Sequence, residues 1–94
     1  MNWKEISFVT GHQIRFKILI CLKNEAKIPT KISEQINIPI SHVSEALKEL
    51  SEKNLVKCNT PDARKNKFYS ITKNGIKVLS TINELTDLDN PSDF

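Results

Sequence analysis

Residues 31–56 read KISEQINIPISHVSEALKELSEKNLV, and the spacing of their apolar side chains predicts two helices joined by a short turn. The first helix is expected over 31–36, with Thr30 as its N-cap. Asn37 tolerates a left-handed backbone and Pro39 suits the start of a helix, so both predict the turn. In the second helix, apolar residues recur at i, i+3, i+4 and i+7 and share one face: Val43, Ala46, Leu47 and Leu50. Two helices joined this way, the second with an unused polar face, form a helix-turn-helix pattern.

The rest of the chain predicts further helices and a hairpin. Its 94 residues suffice for one domain, expected over 1–86, with 87–94 as a flexible acidic tail. Helical periodicity and β-branched content mark the elements outside the helix-turn-helix. These are helices over 2–8, 12–22 and 73–85, and strands over 55–59 and 67–71 around a turn-rich segment. The expected fold class is mainly α (α+β), with a three-helix core, a two-stranded hairpin and a C-terminal helix.

Caps and core positions follow from the same patterns. Thr10 or Gly11 is expected to cap the helix over 12–22, and Thr72 the helix over 73–85. The last helix is expected to bury Ile76, Leu79 and Ile82, with Val78 and Leu85 beside them. Cys21 and Cys58 lie far apart on apolar stretches and are expected to be buried, reduced core residues. A disulfide between them is the alternative, and a cytoplasmic setting argues against it.

Basic charge is concentrated directly after the helix-turn-helix. The chain carries a net charge of +3, but residues 55–77 alone hold six basic and one acidic residue, and residues 78–94 hold four acidic and none basic. A basic cluster beside a helix with a free polar face is the electrostatic pattern of a nucleic-acid binder. The alternative is that this basic cluster is only a solvated charged loop. The polar face of the second helix is therefore expected to enter a DNA major groove.

Other function classes find little support. The chain lacks a Cys/His/Asp arrangement, a glycine-rich phosphate loop and paired carboxylates beside an apolar pocket, so we expect no enzyme. No CxxC pair or His-flanked cysteine predicts a metal site, and no cofactor is expected. The densest apolar run, residues 14–22, is far shorter than the ~20 residues of a membrane span. With no secretory signal visible, the expected location is the cytoplasm, without membrane contact.

The order of the elements resembles the winged helix-turn-helix domain of ArsR-like and MarR-like bacterial and archaeal transcription regulators, over roughly residues 10–85. The residues that carry this resemblance are Arg15, Ile18-Leu19 and Leu22; Ile32-Ser33-Glu34-Gln35-Ile36 and Ile38-Pro39-Ile40-Ser41-His42-Val43-Ser44; Leu47, Leu50 and Lys53-Asn54-Leu55-Val56; and Tyr69-Ser70-Ile71-Thr72-Lys73-Asn74-Gly75. Where the family has Gly before its first wing strand, Asn54 stands here. The cysteine pair of ArsR-like metal sensors is absent, so metal sensing is not implied.

The resemblance implies sequence-specific binding of double-stranded DNA, with the second helix as the recognition helix and the hairpin as a basic wing. The implied DNA-binding residues are Lys31, Ile40, Ser41, His42, Ser44, Glu45, Lys48, Arg64, Lys65 and Lys67. Because Glu45, Glu49 and Glu52 make the recognition helix acidic, the wing is expected to supply much of the phosphate contact. For the polar face of this helix, a capping turn and an ordinary solvated surface remain the alternatives.

Surplus apolar residues near the chain ends predict a homodimer through the N- and C-terminal helices. These residues are Trp3, Phe8, Phe16, Ile20, Ile82 and Leu85. A winged-helix module that binds a protein instead of DNA is the alternative function, because acidic patches at 45–52 and 84–93 suit a protein partner.

Overall fold

The computed structural model describes residues 3–64 and 67–88, which form five helices and a hairpin. The helices are α1 (Trp3–Thr10), α2 (Gln13–Cys21), α3 (Pro29–Ile36), α4 (Ile40–Glu52) and α5 (Lys73–Leu88), and the strands are β1 (Val56–Cys58) and β2 (Tyr69–Ile71). The predicted fold class and element order are confirmed. The last helix ends three residues beyond the expected Leu85. Residues 89–94, most of the expected tail, lie outside the described residues, so the division into domain and tail stays a prediction.

The core consists of apolar side chains from all five helices and the start of the hairpin. The stripe predicted for α4 is fully part of it, and no polar side chain is buried among the described residues. The buried residues are Ile6, Val9, Ile18, Leu19, Leu22, Ile32, Val43, Ala46, Leu47, Leu50, Leu55, Val56, Val78 and Ile82. Because the apolar face of α4 is consumed by the core, its polar face is left to solvent.

The turn between α3 and α4 is fixed by a few local bonds. Asn37 adopts the left-handed conformation that its residue type allows, with φ 57° and ψ 49°. The Ser33 hydroxyl donates to the Ile38 carbonyl at 2.5 Å, and the Ile38 N–H donates to the Ser33 carbonyl at 3.2 Å. Pro39 is the N-cap of α4. The turn therefore holds α4 at a defined angle to α3.

Two predicted caps are wrong. α3 starts earlier than expected, with Ile28 as its N-cap and Pro29 in its first turn, so Thr30 lies inside the helix. Proline is favoured there because its missing N–H has no partner in a first turn anyway. The N-cap of α2 is His12 rather than Thr10 or Gly11. Thr10 instead ends α1, where its hydroxyl donates to the Ile6 carbonyl at 2.9 Å.

The hairpin pairs β1 with β2 in antiparallel register and is anchored to the helical core. Val56 lies opposite Ile71 and Cys58 opposite Tyr69. On its other side, Tyr69 exchanges two backbone hydrogen bonds with Lys27, the residue that leads towards α3. This bridge holds the base of the hairpin to the start of the helix-turn-helix.

The junction between the hairpin and α5 depends on close backbone packing. Asn54, the left-handed residue (φ 61°) before β1, accepts a hydrogen bond from the Thr72 hydroxyl at 2.7 Å. That hydroxyl also accepts from the Gly75 N–H at 3.0 Å, which confirms Thr72 as the cap of α5. A β-carbon on Gly75 would collide with the Leu55 carbonyl oxygen and lie 2.6 Å from Cγ1 of Ile71. Only glycine lets α5 approach the hairpin this closely.

Three expectations about burial are corrected. Cys21 and Cys58 are free thiols, but both are half-buried rather than buried. Cys21 packs against the edge of the core, and its thiol donates to Gln35 Oε1 at 2.9 Å. In α5, the buried face consists of Gly75, Val78 and Ile82, at i, i+3 and i+7, and Ile76 lies outside it and is exposed. The side chain of Leu85 lies outside the described residues.

Candidate nucleic-acid interface

The exposed face of α4 carries every side chain that the sequence places at a DNA groove. Ile40, at the first position of the helix, is 48% exposed. α4 packs against α2, α3 and β1 and leaves part of its surface open to solvent. The predicted recognition residues on this face are all exposed: Ile40, Ser41, His42, Ser44, Glu45 and Lys48. The structure thus brings them together on one surface.

The acidity of α4 is partly neutralised within the fold. Glu49 forms an ion pair with Arg15 of α2, with 3.0 Å between Oε1 and Nη2. Its charge is therefore compensated and does not stand bare on the outer face. Lys31 of α3 lies 3.8 Å from Glu34 in an exposed pair, which solvent makes weak. Glu45 and Glu52 are exposed on α4.

The hairpin presents cations that are available to phosphates. Lys57 and Arg64 are exposed and Lys67 is half-buried, whereas Lys65 lies outside the described residues. Neither of the two ion pairs found in ranges 3–64 and 67–88 includes Lys57, Arg64 or Lys67. Cations without a carboxylate partner can approach a polyanion without first breaking an ion pair.

The hairpin face turned away from the core is followed by an exposed aromatic residue, Phe68. Lys57 is paired with Ser70, whose hydroxyl donates to Asn59 Oδ1 at 2.9 Å, so these side chains share the face turned away from the core. Phe68 lies directly before β2, is 44% exposed, and its carbonyl accepts a hydrogen bond from the Asn59 N–H at 2.7 Å. The sequence shows an aromatic residue directly after Lys67, but its place in the strand predicted over 67–71 does not indicate that it is exposed.

Arg15, one of the residues that carry the family resemblance, connects three helices. Its guanidinium carbon lies 3.7 Å from the centroid of the Phe8 ring, and Nη1 donates to the Phe8 carbonyl at 3.0 Å. With the Glu49 pair, it links α1 through α2 to α4. The signal in the sequence is an arginine between two apolar residues, Ile14 and Phe16, on a core helix.

A small cleft lies between the start of α2 and the recognition helix. It encloses about 190 Å³, and its charged and titratable lining consists of His12, Arg15, His42, Glu45 and Glu49. His12 is exposed. Despite this composition, the described part of the chain contains no group of three or more His, Cys, Asp or Glu side chains placed to hold a metal ion.

A larger apolar groove lies between α2 and α5, on a different surface. It encloses about 460 Å³ and is lined by Phe16, Ile20, Lys23, Ile76, Leu79, Ser80, Ile82 and Asn83. Of the residues predicted at a dimer surface, Trp3 is 63% exposed and Ile20 49%, whereas Ile82 is buried. Phe8 is half-buried, and the Arg15 guanidinium stacks on its ring.

One titratable group is clearly perturbed. Burial raises the pKa of the Tyr69 phenol above its ordinary value of 10.0, and the neighbouring thiol of Cys58 acts in the same direction. Tyr69 stands at the base of the hairpin, so this shift concerns the stability of the wing rather than a reacting group.

A helix-turn-helix with an exposed polar recognition face, followed by a hairpin bearing cations, is the architecture of a winged helix. The chain belongs to the winged helix-turn-helix family, whose model matches residues 10–90. No curated protein sequence matches it. None of the helices that the structure describes is long and apolar enough to span a membrane.

Solved structures of transcription regulators share this fold. The homodimeric winged helix-turn-helix DNA-binding domain of Mb0332 from Mycobacterium bovis, a possible ArsR-family regulator, is 16% identical with a TM-score of 0.73, over 87% of this chain and 75% of that one. The transcriptional regulator BldR from Sulfolobus solfataricus is 26% identical with a TM-score of 0.73, over 93% and 68%. ZitR from Lactococcus lactis, solved in complex with DNA, is 26% identical with a TM-score of 0.59, over 81% and 60%. The fold expected from the ArsR-like and MarR-like resemblance is confirmed.

Proposed function

We propose that this protein binds double-stranded DNA sequence-specifically and acts as a transcription regulator. The observation that carries the proposal is the exposed polar face of α4, held by a helix-turn-helix whose apolar stripe on α4 is buried in the core. The structural likeness to transcription regulators, one of them solved with DNA, supports the same function. We expect no catalytic activity, and since chromosomal DNA is the ligand, we place the protein in the cytoplasm of a bacterial or archaeal cell.

The recognition helix would read bases in the major groove through its first two turns. The hydroxyls of Ser41 and Ser44 can bond phosphates or base edges, and the His42 imidazole can do either. Glu45 can accept from cytosine N4, and Lys48 can donate to guanine or to phosphate. Ile40, half exposed at the helix start, can contact a thymine methyl group.

Phosphate contacts would come from the hairpin and from the start of α3. Arg64, Lys65 and Lys67 are the proposed wing cations, with Lys57 beside them. Lys31 adds a contact at the first turn of α3 once its exposed pair with Glu34 opens. These contacts position the protein on the duplex and carry no sequence information themselves.

We further propose that the protein acts as a homodimer through its N- and C-terminal helices. The groove between α2 and α5, flanked by exposed Ile20 and Ile76, is the apolar surface that a second copy would cover. A two-fold dimer places two recognition helices one DNA turn apart, ~34 Å.

The dimer is tested with two equally exposed isoleucines. Ile76→Glu puts a charge into the groove and is expected to reduce the mass measured by light scattering at micromolar concentration to that of one chain. Ile40→Glu, whose side chain is as exposed (48% against 47%), is expected to leave the mass unchanged and to weaken DNA binding. A single-chain mass for the unaltered protein refutes the dimer.

DNA binding is tested by selecting bound sequences from a random duplex library. We expect enrichment of a two-fold symmetric site, and the doubly substituted His42→Ala/Ser44→Ala protein is expected to lose that enrichment while retaining weak binding to any duplex. Absence of duplex binding by the unaltered protein at low salt refutes the proposal. That result would favour the protein-interaction alternative, although the Arg15–Glu49 ion pair leaves fewer unpaired carboxylates on α4 for a protein partner.

A further inference from the structure

We propose that Arg15 is a positioning residue for sequence recognition, which fixes the rotation of the recognition helix by tying Glu49 to the C-terminal end of α1. This inference rests on the proposed DNA binding and adds a determinant of specificity that does not itself touch DNA.

Arg15 makes three directed contacts, two to Phe8 of α1 and one to Glu49 of α4. The guanidinium stacks on the Phe8 ring, donates to the Phe8 carbonyl and pairs with Glu49, at 3.7, 3.0 and 3.0 Å. The Arg15 side chain is only 12% exposed, whereas the Glu49 side chain is 39% exposed, so the ion pair stays partly open to solvent on the Glu49 side. A rigid, planar guanidinium can satisfy a stack and two directed bonds at once, which the single ammonium of a lysine cannot.

The ion pair of Arg15 is made to the same stripe of α4 that carries residues proposed to contact DNA. His42, Glu45 and Glu49 follow each other at i, i+3 and i+7, and all three line the cleft that contains Arg15. Side-chain atoms lie ~5 Å from the axis of a helix, so a rotation of about 20° would move them by about 2 Å. Hydrogen bonds to base edges require donor–acceptor distances within a few tenths of an ångström, so such a rotation would break them. Contacts to phosphates, made mainly by the wing, would remain.

The ion pair has little other use in the fold. Half-buried ion pairs contribute weakly to stability because desolvation offsets their attraction, and their best-attested role is to define one arrangement among several. The buried side chains of α4 are aliphatic, and the hydrophobic attraction that holds them has no preferred direction. Arg15 supplies the directional contact that the aliphatic stripe lacks.

The test compares Arg15→Gln and Glu49→Gln, which change the net charge in opposite directions. If only charge mattered, Arg15→Gln would weaken binding to every duplex and Glu49→Gln would strengthen it. If positioning matters, both variants lower the ratio of affinity for the selected site to affinity for an unrelated duplex of equal length. We expect about a tenfold loss of this ratio, the cost of roughly one wrong base pair. Affinity for the unrelated duplex should follow the charge alone.

Controls separate positioning from folding. Lys17→Gln removes an exposed cation from the same helix and is expected to leave the ratio unchanged. Glu49→Gln keeps the contacts of Arg15 with Phe8, so it stays folded even if Arg15→Gln does not, and circular dichroism verifies both. An unchanged ratio in folded Glu49→Gln protein overturns the positioning role alone. Equal binding of all duplexes by the unaltered protein overturns the proposed function, and this inference with it.

Discussion

Neutralising the wing should change the salt dependence of DNA binding in a way that can be calculated. Lys57 and Arg64 are exposed, Lys67 is half-buried, and none of the three takes part in the ion pairs of the described residues. Each phosphate that a cation neutralises contributes about 0.9 to the slope of log affinity against log salt. Between roughly 50 and 200 mM salt, one contact therefore corresponds to about a 3.5-fold change in affinity, and three contacts to about 40-fold.

The triple variant Lys57→Gln/Arg64→Gln/Lys67→Gln should bind more weakly at low salt and lose much less affinity as salt rises. Its slope is expected to fall by about 2.7 relative to the unaltered protein. Fluorescence anisotropy with a labelled duplex measures both quantities in one titration series. Lys31→Gln is expected to change the slope less than any wing variant, because Lys31 must first leave Glu34.

The matched control is Lys77→Gln, an exposed cation on α5 outside the proposed interface. It alters net charge by the same amount as one wing substitution and should leave the slope nearly unchanged. A triple variant that binds the duplex with the slope of the unaltered protein refutes the assignment of the wing to phosphates.

Three further predictions concern the parts that hold the interface in place. Gly75→Ala forces α5 away from the Leu55 carbonyl, and this overpacking should lower the free energy of unfolding by about 1–3 kcal/mol, or at least ~4 °C in Tm by circular dichroism; an unchanged Tm contradicts it. Because folding raises the pKa of Tyr69, its protonated phenol contributes stability that is fully present below pH 10.0 and is lost as the pH rises through the folded pKa. In urea unfolding, Tyr69→Phe should lose less stability at alkaline pH than the unaltered protein, and identical pH profiles would argue against this. Ser33→Ala removes the 2.5 Å bond to the Ile38 carbonyl, which should cost about 0.5–1.5 kcal/mol and speed exchange of the Ile38 amide proton, whereas unaltered exchange would show that the turn does not depend on it.

The sequence by itself determined the helix-turn-helix and the surface it leaves free. Periodicity of the apolar residues in α4 and the left-handed tolerance of Asn37 are local properties, readable without knowing what lies opposite. The order of the hairpin and the last helix could also be predicted from the sequence. Its signals are the helix cap Thr72 and the β-branched residues of the second strand, which depend only on residues a few positions away. The start of α3 was harder to predict, because Thr30 suits an N-cap and Pro29 suits a first helical position. In the structure the helix begins at Pro29.

The tertiary structure alone decided which side chains meet across elements. Nothing local pairs Arg15 with Glu49, and the sequence therefore presented Glu49 as an unpaired charge on an acidic helix. The same holds for Lys27, whose bridge to Tyr69 anchors the hairpin, and for Gly75, whose need for glycine arises only where the Leu55 carbonyl approaches. Local patterns predict much of which helix face is buried, because burial follows periodicity, although Ile76 of α5 departs from that pattern. The directed contacts that orient one helix against another depend on packing between distant segments, and only the folded chain defines them.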